Sequence, residues 1–290
     1  MLQNILINGI MTVGIYALLA TGFALVFGVA RIINLAHTAF YMVAAYFTFT
    51  FATVCGLSAP LSATVSVAFT ILIGLGIYKL CLDRIREHET TVLLVTVALA
   101  MVFQESLFLV FGLYQRAAPT FVSGFWEVLG TRVSYQHLIT LAVVAVVLLG
   151  LWALLYRTKL GTATRAVAQD REIASLMGIN VRIVYLIVFG IAVALAAIAG
   201  AVVAPIFTLD TSMWIHPLLM ICAIVVLGGL GSIKGSVLGA FILGFAETLV
   251  VSLVPMGSFI KTAVALTIMI IVLVVRPEGL FGIAFEEERL

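Results

Sequence analysis

Long apolar stretches alternate with short polar interruptions along almost the whole chain. A helix needs roughly 20 mostly apolar residues to cross a lipid bilayer, and each uninterrupted stretch here approaches or exceeds that length. These stretches lie at about residues 5–30, 39–54, 60–78, 92–112, 137–155, 183–207 and 259–275. They predict membrane-crossing helices, and the region 217–253 adds two further segments, which makes about nine crossings.

Glycines interrupt the apolar region 217–253. Gly228, Gly229 and Gly231 follow a short apolar run, and a second glycine-dotted run continues to about Leu253. We interpret the region as two short or broken helices that meet at a glycine-rich turn or a close helix crossing. A broken helix at membrane depth is stable only where protein or a cavity satisfies its free backbone groups.

One polar interruption, residues 156–182, has a pattern of its own. Ala163, Val167, Ala174 and Met177 recur at three-, four- and seven-residue spacings among charged residues, and a glycine and an asparagine then supply a stop signal. This pattern is typical of a short amphipathic helix, which would lie on a membrane face and present a surface to a soluble partner. The alternative is a charged loop that only fixes the topology.

Composition supports the membrane assignment. Hydrophobic residues make up 64% and charged residues 10% of the 290 positions, with a mean hydropathy of +1.28, whereas a soluble domain averages roughly 45–50% apolar and about 25% charged residues. We therefore predict an all-α, polytopic integral membrane helical bundle of about 8–10 membrane segments with broken helices, in one domain over residues 1–290. The net charge of +2, without a dense basic cluster, argues against a nucleic-acid partner.

Lysine and arginine residues concentrate in three places: residues 79–91, residues 157–182 and Arg276. Short connectors rich in these residues face the cytoplasm. The connectors near 55–60 and 208–216 hold none, so they are predicted to lie on the opposite side. Successive spans cross the membrane in alternating directions. Counting them back from the connector at 79–91 places the amino terminus outside the cell.

The sequence shows no catalytic constellation. Serines and acidic residues form no nucleophile–base pair, and the glycine-rich segment 228–232 lacks the spacing of a phosphate-binding loop. Cys55, Cys81 and Cys222 are scattered, as are the four histidines, without metal-ligand spacing. The sequence therefore predicts neither an enzyme nor a metal site.

Ionisable and polar residues inside the apolar stretches are a stronger functional signal, because a charge in a bilayer is costly. Glu105 and Glu247 lie within predicted spans. They indicate either the polar lining of a pathway or protonated carboxyl groups hydrogen-bonded to neighbouring helices. Asn34 and His37 follow the first span, which favours either a cavity-facing helix break or an interfacial cap.

Four segments together carry a resemblance to a known family. They are IYALLATGFALVFGVARIINLAH (15–37), RAVAQDREIASLMGINV (165–181), VVLGGLGSIKGSVLGAFILGFAE (225–247) and RPEGLFG (276–282), the last preceded by Lys261. With these segments in this order over nearly its full length, the chain resembles the membrane permease of branched-chain amino acid ABC importers, the H subunit of the LIV-type system.

The resemblance implies a subunit of an ATP-driven importer of branched-chain amino acids that works by alternating access in the prokaryotic cytoplasmic (inner) membrane. Its partners would be a second related permease or a second copy, two cytoplasmic ATPase subunits and an extracytoplasmic substrate-binding protein, with membrane lipid around it. The chain itself would bind no cofactor, because ATP and Mg²⁺ are used by the ATPase subunits.

Together with the ionisable residues, the resemblance also assigns candidate sites. Residues 157–182 would be the cytoplasmic coupling segment, whose ATPase contacts are Arg165, Ala168, Asp170, Ala174, Leu176 and Gly178. The candidate lining of the translocation pathway is Asn34, His37, Glu105, Gly228, Gly229, Gly231 and Glu247.

Several residues depart from the family pattern near the presumed pathway. Thr38 and Ala44 stand where the family usually has glycine, Glu105 where an amide or apolar residue is more usual, and Met220 where a lysine is common. These differences keep open the import of urea, short amides or aromatic acids by the same architecture. An ion-coupled secondary transporter is the remaining alternative, for which only Glu105 and Glu247 are available as carboxylates within the spans.

Overall fold

The structure is a computed structural model that describes residues 2–128, 131–276 and 278–281. Most of this part of the chain is helical. In chain order its elements are α1 (Leu2–Ala30), α2 (His37–Thr53), α3 (Ala59–Ile77), a π-helical segment (Tyr78–Leu82), α4 (Asp83–Ile85), α5 (Glu89–Phe111), β1 (Phe125–Val128), β2 (Thr131–Ser134), α6 (Tyr135–Arg157), α7 (Lys159–Gln169), α8 (Arg171–Leu176), α9 (Val181–Val203), α10 (Ile215–Gly228), α11 (Ile233–Leu253) and α12 (Gly257–Val275).

Seven helical spans in the described residues are long and apolar enough to cross a membrane. One of them runs without interruption from α3 through the π-helical segment and α4. α2 and α10 are shorter, with 17 and 14 residues. The predicted all-α membrane bundle is therefore confirmed.

α1 and α9 form the centre of the bundle. In the most apolar 18-residue window of each helix, 78% of α1 and 67% of α9 are buried, against 6% of α12. α9 packs on α1, α2 and α3, and α1 packs also on α11. Small residues permit these close approaches; Gly200 of α9, for example, lies directly against the backbone carbonyl of Tyr41 in α2.

α2 begins inside the bundle rather than at its edge. His37, its first residue, bonds to the carbonyl of Leu19 in α1. Leu19 lies eleven residues before the end of α1 at Ala30, which is about 16 Å along the helix axis. Residues 31–36 therefore re-enter the bundle as an irregular segment. α2 continues from the end of this segment towards the side from which α1 started.

α10 also begins at membrane depth. Its 14 residues extend only about 21 Å. Just before it, Trp214 donates its indole N–H to the side-chain oxygen of Gln104, well inside the span of α5, at 2.7 Å. The predicted short helix in this region is confirmed. The preceding helix, α9, ends at Val203, two residues before Pro205, as a proline predicts.

α10 and α11 confirm the two helices and the glycine-rich turn predicted for the region 217–253, but α11 is neither short nor broken. Its 21 residues form one continuous helix that is long enough to cross the membrane. Gly235, near the start of α11, is a contact point, because it packs against the backbone of Gly228 at the end of α10. The turn between the two helices does need glycine, since Gly229 and Gly231 have φ values of 98° and 82°.

The polar connectors come together at one end of the bundle, which we call the coupling end. The connector 156–182 forms two helices, α7 and α8, rather than the one that was predicted. The Arg182 guanidinium at the start of α9 donates to the carboxylate of Asp83, with 2.7 Å from its Nε. Arg86 lies 5.3 Å from the ring centroid of Tyr185. The β1–β2 hairpin lies at the opposite end, which we call the hairpin end.

Candidate functional site

α7 is fixed to the end of α6. Thr158 caps α7 by accepting a hydrogen bond from Gly161 N–H at 3.1 Å. Gly161 lies against the carbonyl of Leu155, where a side chain would not fit. The Arg165 guanidinium donates to that same carbonyl and lies 5.4 Å from the ring centroid of Tyr156. Arg165 therefore holds α7 on the bundle, and its role in an ATPase contact stays a prediction.

α8 begins at a strong cap and buries one face. The Asp170 carboxylate accepts hydrogen bonds from the backbone N–H groups of Glu172 and Ile173 at 2.8 and 2.9 Å, which satisfies two of the free donors at the start of a helix. Ala174 is only 3% exposed, and Ala168 of α7 is half-buried against the same core. The two predicted alanines thus lie in the packing between the connector and the bundle.

The outer face of the connector carries an apolar surface. Ile173, Leu176 and Met177 are 55%, 86% and 79% exposed, and we call these three side chains the coupling patch. Gly178 follows with a φ of 81° and open space around its α-carbon. Of the coupling patch, the predicted ATPase contacts included only Leu176, although Met177 was part of the predicted amphipathic pattern. The three- and four-residue spacing from Ile173 was the signal for the others.

A groove of about 480 Å³ separates α8 from the bundle beside the coupling patch. Its walls come from α8, the start of α9 and the turn before α5. Arg86, Glu87, Arg171 and Glu172 give it both signs of charge, and Leu176 forms part of its rim. The coupling end therefore offers an apolar surface and an adjoining charged groove on one face, which suits contact with a soluble protein.

Asn34 and His37 lie in the interior of the bundle at the re-entrant segment. Asn34 is 3% and His37 is 0% exposed. The Asn34 side-chain oxygen accepts from Ala36 N–H at 3.1 Å, and His37 Nε2 lies 3.0 Å from the Leu19 carbonyl. Among the described residues, Asn34 Nδ2 and His37 Nδ1 have no hydrogen-bond partner. Both residues hold the start of α2, and their place in a pathway stays a prediction.

Glu247 is the centre of a buried polar cluster formed by four helices. Tyr16 of α1 donates its hydroxyl to Glu247 Oε2 at 2.6 Å, and Lys261 of α12 donates to Oε1 at 2.8 Å. His216 of α10 lies close to both, with Nδ1 3.4 Å from the Tyr16 hydroxyl and Nε2 3.6 Å from Glu247 Oε1. Glu247 is thus a paired carboxylate rather than an isolated one. Sequence reasoning had not connected Tyr16 or His216 with it.

Glu105 lies in a different environment on α5. Its side chain is exposed on the surface of the single chain. Its carboxylate accepts one long hydrogen bond, 3.4 Å, from the side-chain amide of Gln104. The oxygen of that amide is held in turn by Trp214 at 2.7 Å. Glu105 therefore faces outwards from a helix that crosses the membrane.

These polar groups share one depth in the bundle. Tyr16 lies 14 residues from the end of α1, Glu247 lies 14 residues into α11, and Gln104 lies 15 residues into α5. Each is therefore about 21–23 Å from the coupling end along its own helix. We call this level, at which α10 also begins, the polar layer; its members are Tyr16, Gln104, Glu105, Trp214, His216, Glu247 and Lys261.

The predicted pathway glycines are not part of the polar layer. Gly228, Gly229 and Gly231 lie at the coupling end, where Gly231 contacts Gly28 near the end of α1. After α12 the chain returns to this turn, since Phe281 N–H donates to the Gly228 carbonyl at 3.0 Å. The glycines thus close the bundle on the coupling side. In the described part of the chain, no three His, Cys, Asp or Glu side chains come together as a metal site.

A protein-family profile matches most of the chain. The profile of the family described as "Branched-chain amino acid transport system / permease component" matches residues 5–275. This range includes the coupling segment, the re-entrant start of α2 and the whole polar layer.

Individual proteins agree with the family match. The chain is 30% identical to the high-affinity branched-chain amino acid transport system permease protein BraD of Pseudomonas aeruginosa, over 96% of this chain and 94% of that protein. It is also 30% identical to the corresponding permease protein LivH of Escherichia coli K12, over 95% and 94% of the two chains. Among solved structures, PsaBC from Streptococcus pneumoniae in complex with Fab aligns with a TM-score of 0.53 and 14% identity, over 94% of this chain and 92% of that one. That likeness shows the fold alone.

Proposed function

The chain belongs to the family of permease components of branched-chain amino acid transport systems, and from this premise we propose that it is the membrane-spanning permease subunit of an ATP-driven importer of branched-chain amino acids. It is a multi-pass protein of the prokaryotic cytoplasmic membrane. The coupling patch is the observation that carries the proposal, because it places exposed apolar side chains on a connector that is held firmly to the bundle.

Firm attachment is what the transmission of motion requires. Arg165 ties α7 to the last turn of α6, and α8 leads directly into the central helix α9. The bond from Arg182 to Asp83 joins the start of α9 to α4. A partner that displaces the coupling patch would therefore move α6, α9 and the α3–α4 span together as a rigid body.

The energy for this movement would come from other subunits. The proposed assembly holds two cytoplasmic ATPase subunits, which bind ATP and Mg²⁺ and receive the coupling patch in a groove, as an amphipathic helix binds its partner. A second related permease, or a second copy of this chain, would complete the pathway. An extracytoplasmic binding protein would deliver solute at the hairpin end, and this chain would contribute no ATPase site.

The solute fits the chemistry of the exposed faces. Leucine, isoleucine and valine have side chains that need no polar partner, so apolar helix faces can line their route at little cost. Their ammonium and carboxylate groups do need partners, which the polar layer around Glu105 and Glu247 would supply. Alternating access would expose this layer first to the hairpin end and then to the coupling end.

Reconstitution tests the proposal directly. The permease is placed in liposomes with the ATPase subunits, second permease and binding protein of its own transport system, and uptake of radiolabelled leucine is measured with and without ATP. We expect ATP-dependent uptake in which isoleucine and valine compete with leucine. Competition by urea or an aromatic acid, without competition by isoleucine and valine, would contradict the proposed solute.

A further inference from the structure

Glu105 is an exposed carboxylate within a membrane-crossing helix. It lies 16 residues after the first residue of α5 and six before the last, or about 24 Å and 9 Å along the axis. Leu109 and Val110, closer to the hairpin end of α5, are 83% and 73% exposed. The carboxylate is therefore surrounded on its outward side by apolar surface rather than by the polar groups of a helix terminus.

Of the other carboxylates within the described membrane spans, Glu89 is the first residue of α5 at the coupling end, and the remaining two have cationic partners. Glu247 bonds to Lys261, and Asp83 bonds to Arg182. Glu105 has the weak contact with the Gln104 amide and, in the described part of the chain, no ion pair. A carboxylate in contact with lipid hydrocarbon is costly, so this position requires a cationic or strongly polar partner from outside the chain.

A second copy of this chain is poorly suited to be that partner. Within the polar layer the described residues include one lysine, Lys261, and its ammonium is already bonded to Glu247. A symmetric copy would bring another Glu105 and no free lysine or arginine at this depth. Two carboxylates that approach each other repel, which would raise the cost rather than lower it.

We propose that Glu105 binds the ammonium group of the transported amino acid, an inference that rests on the proposed function. The Trp214 indole fixes Gln104, whose amide nitrogen lies 3.4 Å from the Glu105 carboxylate. Met101 and Val102, one turn earlier on α5 and 56% and 58% exposed, offer apolar surface to an aliphatic side chain. Glu105 is thus a specificity-determining residue that selects a cationic head group attached to an apolar body.

Two leucine analogues separate recognition of the ammonium from recognition of the rest of the molecule. 3-Methylbutylamine keeps the ammonium and lacks the carboxylate, whereas 4-methylpentanoate keeps the carboxylate and lacks the ammonium. Each is used to displace radiolabelled leucine from the purified importer complex without its binding protein, so that the binding protein does not contribute to the selectivity. In the wild type we expect the amine to compete roughly tenfold or more better than the acid, since a charge-assisted hydrogen bond has that effect.

Substitution of Glu105 then assigns the preference to this residue. Glu105→Gln is expected to weaken leucine binding roughly tenfold to a hundredfold and to abolish the advantage of the amine. Glu105→Asp keeps the charge and should keep the preference for the amine. Glu89→Gln, which removes an exposed carboxylate from the same helix at the coupling end, is the matched control and should bind both analogues as the wild type does.

Three results would overturn the inference. Unchanged leucine binding by Glu105→Gln, or equal competition by the two analogues in the wild type, would show that the carboxylate does not meet the ammonium. Failure of Glu105→Gln to co-purify with the second permease would show that Glu105 pairs with a cation of that partner. ATP-dependent leucine uptake by the wild type is measured in parallel, because its absence would contradict the proposed function itself.

Discussion

α6 and α9 are alike in length and hydropathy and opposite in position. Each has 23 residues and a mean hydropathy of 2.8 in its most apolar window, yet 22% of that window is buried in α6 and 67% in α9. The difference lies in side-chain size. α9 has eight alanine and glycine residues, and α6 has four.

The comparison separates two pieces of information in a membrane sequence. Hydropathy reports only that a helix enters the bilayer, because lipid and protein interior are equally apolar. Small residues report where a helix can pack closely against others. α9 is central because its small residues admit α1, α2 and α3, whereas the larger side chains of α6 leave most of its surface exposed.

The strongest test replaces one glycine in α9 and one glycine in α6 with leucine. Gly200 of α9 lies against the Tyr41 carbonyl, so that even a methyl group would overlap the backbone of α2. We expect Gly200→Leu to lower the free energy of unfolding by about 3 kcal/mol or more, measured as loss of folded protein on heating in detergent. Gly150→Leu in α6 meets open space and should change stability little. Equal effects of the two substitutions would contradict the assignment of α9 to the centre.

The buried polar cluster provides the next largest effect. Lys261→Met leaves the carboxylate of Glu247, which is 6% exposed, without its cation, and we expect a loss of about 2 kcal/mol because Lys261 is itself partly exposed. Glu247→Gln in the same protein removes the unpaired charge and should restore most of that stability. Thermal unfolding of the single and double variants measures both. A double variant less stable than Lys261→Met alone would show that the ion pair is not what holds α11 to α12.

Substitution in the coupling patch should disrupt binding of the ATPase subunits and leave the stability of the permease unchanged. Leu176 at the coupling end and Leu113 at the hairpin end are 86% and 85% exposed, so aspartate at either position costs little in folding. We expect Leu176→Asp to abolish co-purification of the ATPase subunits and Leu113→Asp to retain it. The amount of ATPase per permease after affinity purification is the measurement. Retention by Leu176→Asp would remove the coupling patch from the proposed interface.

The smallest expected effect concerns the cap of α8. Asp170→Ala removes the acceptor for two backbone N–H groups and should cost about 1 kcal/mol in local helix stability. Looser attachment of the coupling patch would lower ATP-dependent leucine uptake a few-fold. Asp170→Asn keeps a capping oxygen and is expected to transport nearly as the wild type does. Equal uptake by both variants would show that the cap does not matter for coupling.

The apolar stretches predicted the membrane helices closely. The stretch at 183–207 corresponds to α9, Val181–Val203, and the stretch at 259–275 to α12, Gly257–Val275. The break between α7 and α8 was missed although its signal was local. Asp170 is a preferred N-cap residue, and two such helices need a cap between them.

Glycines were harder to interpret, because a glycine that breaks a helix and one that admits a neighbour look the same in sequence. Gly239 and Gly244 lie in the run that was predicted to be a short or broken helix, yet they are part of the continuous helix α11. There they contact Ile224 of α10 and Val13 of α1. Only the partner helix distinguishes the two cases, and the sequence does not say which helix that is.

The polar layer could be predicted only in part for a related reason. Glu105 and Glu247 were visible as ionisable residues in apolar stretches. The hydrogen bond from Tyr16 to Glu247, however, joins residues 231 positions apart. Nothing in the sequence distinguishes Glu247, which is paired inside the chain, from Glu105, which is exposed. That distinction, which carries the proposal for the solute ammonium, came from the packing of α1, α10 and α12 around α11.

The proposed mechanism requires separate ATPase subunits, and uptake with and without those subunits shows whether it does. Liposomes that contain this permease, its second permease and the binding protein are prepared with and without the ATPase subunits, at equal permease content. We expect ATP-dependent leucine uptake with the ATPase subunits and only background uptake without them. Leucine accumulation at the same rate in both preparations, or accumulation driven by an imposed ion gradient without ATPase subunits, would contradict the proposed mechanism.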